Sequence, residues 1–166
     1  MDNVSMPIII FQGIPETAIM VALALVLTGY EAKLKDVLLI GVLGGLIGAV
    51  VRSLPLALGS NILIVLPVVA VLIVLICKID VLSAIIASGI GAIVIGITET
   101  AYILTFVELT GITIKQIMSN LHLRLLFPLP EYALLLLLLI ICKQYDLTLL
   151  NMREFNDIRR IRDYEK

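Results

Sequence analysis

The chain has 166 residues, of which 61% are hydrophobic and only 15% charged, and its formal net charge is −1. Soluble domains have about 45–50% apolar and about 25% charged residues, so this composition excludes an ordinary soluble domain, and the near-neutral charge gives no electrostatic case for nucleic acid. At about 20 residues per membrane span there is room for about four to six spans and none for a separate soluble catalytic domain.

The opening MDNVSMP contains no Lys or Arg and no signal-type cleavage pattern, so the first span is expected to be retained. That span is predicted at about 15–29, PETAIMVALALVLTG, after the apolar IIIFQGI. Pro15 suits a first helical turn because its missing N–H would find no partner there. Glu16 beside it complements the positive end of the helix dipole. After YEAKLKD a second span is predicted at 37–51, closed by Arg52 and the turn SLPLALGS. A third follows at 61–77, with Pro67 as a potential kink, and Lys78–Ile79–Asp80 makes a tight turn.

The fourth apolar stretch, Val81 to Thr110, is thirty residues long, about 45 Å of helix against a hydrocarbon core of about 30 Å. It is expected to leave the bilayer near Phe106–Glu108, giving a span of 81–107 with Glu108 and Gly111 as its exit. ITIKQIMSNLHLRLLFPLP is too polar for a span and too apolar for a loop, which suits a segment lying in the interface. The last span is predicted at 130–148. Residues 1–150 are thus read as an all-α transmembrane domain and 151–166 as an amphipathic basic tail. In that tail Phe155, Arg159, Arg160 and Arg162 are candidates for contact with an anionic membrane surface or a partner helix.

Five spans place the termini on opposite sides. With the C-terminus cytoplasmic, nine basic residues lie inside (Lys33, Lys35, Lys78, Lys143, Arg153, Arg159, Arg160, Arg162 and Lys166) and three outside (Arg52, Lys115 and Arg124). This positive-inside bias predicts an outside N-terminus. Cys77 and Cys142 then fall at the reducing face and are expected to be unpaired.

Helices associate within lipid through small residues that let backbones approach. The second span carries Gly41 with Gly45, and Gly44 with Gly48; the fourth carries Ala84, Ser88, Ala92, Gly96 and Thr100 at four-residue spacing. These ladders serve either packing within the chain or a homo-oligomer face. Glu99, one position before the end of the second ladder, is the conspicuous intramembrane carboxylate, and such groups are functional hypotheses by default. About 27 Å along its helix it nears the outer surface, where Arg52 is the expected partner. Glu99 and Arg52 are therefore the candidate ligand or polar-pair residues.

The single histidine, His122, cannot form a metal cluster. There is no GxxxxGK[ST] phosphate loop and no activated Ser or Cys nucleophile. No catalytic residue, cofactor or metal site is expected, and the chain is not read as an enzyme.

VVRSLPLALGSNILIVL and ELTGITIKQIMSNLHLRLLFPLPEYALLLLLLII resemble the N-terminal membrane domains of Firmicute sensor histidine kinases of the GHKL type. The matching positions are Arg52, Leu54, Pro55, Gly59, Thr110, Gly111, Asn120, Leu123, Arg124, Leu126, Phe127 and Pro130. The kinases' phosphoacceptor histidine and ATP-binding motifs have no counterpart here. The resemblance therefore implies a sensor-type membrane domain in signal transduction, acting through self-association or a membrane or cytoplasmic partner protein. Two other readings compete: a small substrate-binding subunit of a membrane transporter, and a structural protein forming a homo-oligomeric assembly.

Overall fold

The computed structural model describes residues 9–31, 33–54 and 60–155, and every regular element among them is helical. Ile9–Gly13 forms a π-wound turn that runs directly into α1, Ile14–Leu27. Pro15 sits at the start of α1. It offers no N–H to the preceding turn and its ring crowds the carbonyl of that turn, and a locally widened winding relieves both problems. Helical structure thus begins six residues before the predicted start at 15.

The remaining helices are α2 (Leu34–Ser53), α3 (Ser60–Cys77), α4 (Val81–Thr110), two short helices α5 (Ile114–Ser119) and α6 (Leu121–Leu126), and α7 (Leu129–Gln144). Among the described residues four helical runs are long and apolar enough to cross a membrane: Ile10–Leu27, Leu34–Ser53, Val81–Thr110 and His122–Gln144. The apolar part of α3, Asn61–Cys77, is shorter, and Pro67 lies inside it.

Helix ends follow local chemistry. α1 stops at Gly29, whose φ of 80° lets Tyr30 N–H reach back to the Leu25 carbonyl at 2.9 Å, the closure expected of a left-handed C-terminal residue. Asp80 caps α4 by accepting from Ser83 N–H at 2.9 Å. The far end of α4 is closed by Gly111 at φ 69°, so the helix runs three residues past the predicted exit at 107. α7 ends at Gln144 and not at 148. Asp146 takes the left-handed conformation, φ 48°, and Leu147 N–H bonds the Cys142 carbonyl at 2.8 Å.

α1 is the central helix. It packs against α2, α4 and α7, while α3 bridges α2 and α4. Val21, Leu23 and Ala24 of α1 are fully buried. The two helices with small-residue ladders both pack on α1. A Cβ at Gly41 would stand 2.7 Å from the Ala18 Cβ, and one at Gly45 3.0 Å from the Ile14 Cα. From α4, a Cβ at Gly91 would lie 2.9 Å from the Met20 carbonyl oxygen. Ala84 and Ser88 are buried on the same helix. By contrast, a Cβ at Gly48 or Gly96 would meet no atom of the described residues within 4 Å, although Gly48 itself is buried.

Between α4 and α7, Tyr102 donates to the Phe127 carbonyl at 2.7 Å, and the rings of Tyr102, Phe106 and Phe127 pack with centroids 4.9–5.9 Å apart. This pins the end of the α5–α6 segment to α4. Asn120 separates the two short helices and caps α6 by accepting from His122 N–H at 3.0 Å.

Candidate functional site

Because consecutive helices alternate in direction, the start of α1, the end of α2, the start of α3 and the later part of α4 gather at one end of the bundle. There Arg52 pairs with Glu16, Nη2 to Oε1, at 3.7 Å. This corrects the expected pairing of Arg52 with Glu99. The glycines at 41, 44 and 45 draw α2 directly onto α1, so the last turn of α2 meets the first turn of α1.

Glu99 nevertheless belongs to the same site. It lines, with Glu16, Arg52, Asn61, Gln12 and Thr17, a cavity of about 540 Å³ between the first four long helices. The apolar part of the wall comes from Met20, Val65, Leu66 and Ile95. The upper ladder explains the opening: a Cβ at Gly96 would meet no described atom within 4 Å and Ala92 lines the wall, so α4 leaves room here while it packs tightly at Gly91. Asn61 Oδ1 has almost no solvent contact and no hydrogen-bond partner among the described residues. A buried acceptor without a donor is costly.

A third carboxylate stands behind the wall. Glu131, in the first turn of α7, is buried and within electrostatic reach of both Glu16 and Glu99. Next to it Tyr132 donates to the Gln12 carbonyl at 3.0 Å, tying α7 to the π-wound turn. Among the described residues no group of His, Cys, Asp and Glu side chains is placed to hold a metal ion.

The opposite end of α1 holds the segment that follows α7. Leu149 and Leu150 N–H donate to the Leu27 carbonyl at 2.8 and 3.2 Å, and Met152 N–H donates to the Thr28 carbonyl at 3.1 Å. Met152 is buried and Thr28 fully so. Cys77 and Cys142 are free thiols; each lines a cleft at this end, where Lys33 is a common neighbour. Phe155 is exposed. Arg159, Arg160 and Arg162 lie outside the described residues, as do Pro55 and Gly59.

Sequence reasoning had singled out Arg52 and Glu99 and missed Gln12, Asn61, Glu131 and Tyr132. Glu16 was read only as a dipole partner. One signal was present: adjacent antiparallel helices joined by a short loop bring the start of one beside the end of the next, which pairs Glu16 with Arg52. No protein-family model, curated protein or solved structure matches this chain.

Proposed function

We propose that this is a non-catalytic membrane protein of the sensor-domain type, which binds a ligand in the Arg52-end cavity and transmits its occupancy to the C-terminal tail. In this reading five helices cross the bilayer, with the cavity toward the outside and the tail cytoplasmic. The basic residues support that orientation: Lys33 and Arg153 share one cleft, and Lys33 and Lys143 another, at the end opposite Arg52.

One observation carries the reading. α1 places Glu16 and Thr17 in the cavity wall and, at its other end, presents the Leu27 and Thr28 carbonyls to the tail backbone. A single packed helix connects the two places, and a shift of α1 on binding would be felt where the tail docks.

The test is hydrogen exchange on the full chain in nanodiscs, comparing wild type with Glu16→Gln and Arg52→Gln. Altered protection of residues 147–152 is expected, although the substitutions lie at the far end. Unchanged protection there sinks the transmission reading. The cavity alone would then favour the second reading, a substrate-binding subunit of a transporter, for which co-purification of a transport ATPase from native membranes is the decisive sign.

A further inference from the structure

The geometry points to the class of ligand: a small amphipathic organic cation, an ammonium group carried on an apolar body. This rests on the ligand-binding reading above and goes beyond it by fixing charge and shape.

Charge comes first. The cavity wall holds two carboxylates, Glu16 and Glu99, against one guanidinium, Arg52. The Arg52–Glu16 contact is long, at 3.7 Å, and partly open, so Arg52 does not neutralise the site. Charges held within a bilayer are costly and are usually matched by partners or bound species. An added cation restores the balance; an added anion worsens it.

Hydrogen bonding agrees with charge. Glu16 and Glu99 both line the cavity and bring carboxylate oxygens, which are acceptors, to its wall. An ammonium group supplies three donors and no acceptor, which fits this surplus of acceptors. A hydroxyl would satisfy one acceptor while leaving the charge unmatched.

Shape selects an organic ion over a bare one. About 540 Å³ is within the range of small-molecule sites, roughly 300–1,000 Å³. The side chains of Met20, Val65, Leu66 and Ile95 give an apolar wall that a lone metal ion or ammonium would leave uncovered.

The experiment uses the full chain in phosphatidylcholine nanodiscs, with empty nanodiscs as the blank. Calorimetric binding of 4-phenylbutylammonium is compared with that of two close isosteres, the neutral 4-phenylbutanol and the anionic 5-phenylpentanoate. Saturable binding of the cation is expected, at least about tenfold tighter than either isostere. Glu99→Gln should weaken it at least about tenfold, whereas Glu108→Gln, on the exposed end of α4, should not. Thermal melting confirms that both variants fold. Equal binding of the alcohol or the carboxylate overturns the cation class while leaving a ligand cavity in place. Cation binding indifferent to Glu99→Gln overturns the assignment to this cavity. If none of the three binds saturably, both the class and the ligand-binding reading fall.

Discussion

Arg52 and Glu16 stand 3.7 Å apart, joining the last turn of α2 to the first turn of α1, with side chains 43% and 29% exposed. Exposed pairs contribute about 0–1 kcal/mol, whereas removing one partner of a buried pair costs about 3–5 kcal/mol; this pair lies between. The two partners are not equivalent. Arg52→Gln removes the cation paired with Glu16 while Glu99 stays in the same cavity wall, and should cost about 1–3 kcal/mol, between the exposed and buried cases. Glu16→Gln leaves Arg52 facing Glu99 across the cavity and should cost less than about 1 kcal/mol. Unfolding in nanodiscs measures both, and equal losses would show that the remaining carboxylates do not feel Arg52.

The glycines of α2 should separate into two groups. A Cβ at Gly41 would fall 2.7 Å from the Ala18 Cβ and 3.1 Å from its Cα. Gly41→Ala therefore forces α1 and α2 apart, at about 1–3 kcal/mol, the usual cost of overpacking. At Gly48, which is buried, an added Cβ would meet no described atom within 4 Å, and alanine is the better helix former by about 1 kcal/mol. Gly48→Ala should be neutral or stabilising. If Gly48→Ala were as damaging as Gly41→Ala, the close approach to Ala18 would not be what sets the cost at Gly41.

That contrast marks the limit of what the sequence disclosed. The helices were legible because apolar blocks and short charged clusters alternate along the chain, and Gly111 was legible as an exit, whereas Asp80 was read only as part of a tight turn and not as the cap of α4. Four-residue spacing placed Gly41, Gly45, Ala84 and Ser88 on packing faces, yet did not say against what. The partner is α1, whose Ala18 and Ala24 offer a smooth surface without any GxxxG signal. Gly91, which packs on Met20 and Ala24, lies off the four-residue ladder. Asn61 and Glu131 were invisible for another reason: each looks like an ordinary polar residue at a helix start, and only the three-dimensional assembly brings them near Glu16 and Glu99.

Tyr132 should matter through its hydroxyl alone. It is buried and donates to the Gln12 carbonyl at 3.0 Å, in the turn that Pro15 forces into π winding. Tyr132→Phe keeps the ring and deletes the donor, leaving that carbonyl short of a partner. A loss of about 1–2 kcal/mol is expected, together with faster amide exchange in residues 9–16. A loss without local exchange at the π-wound turn would place the effect elsewhere in α7.

The docked tail depends on one glycine. Gly29 has φ 80°, a conformation that costs a residue with a Cβ about 1–2 kcal/mol. Its missing Cβ also leaves space for Asn151, whose Oδ1 would lie only 2.8 Å away. That same Oδ1 accepts from Glu154 N–H at 3.2 Å and so caps the helical turn that begins the tail. Gly29→Ala therefore strains the end of α1 and dislodges a cap at once. The bonds from Leu149, Leu150 and Met152 to the Leu27 and Thr28 carbonyls should loosen, raising amide exchange across residues 147–155. The Arg52 end should be unaffected in its own exchange, since Glu16 lies three turns up the helix. If the tail carries the signal, the same variant should also abolish the response of residues 147–152 to Arg52→Gln. A tail that stays protected in Gly29→Ala would mean that contacts other than these backbone bonds hold it in place.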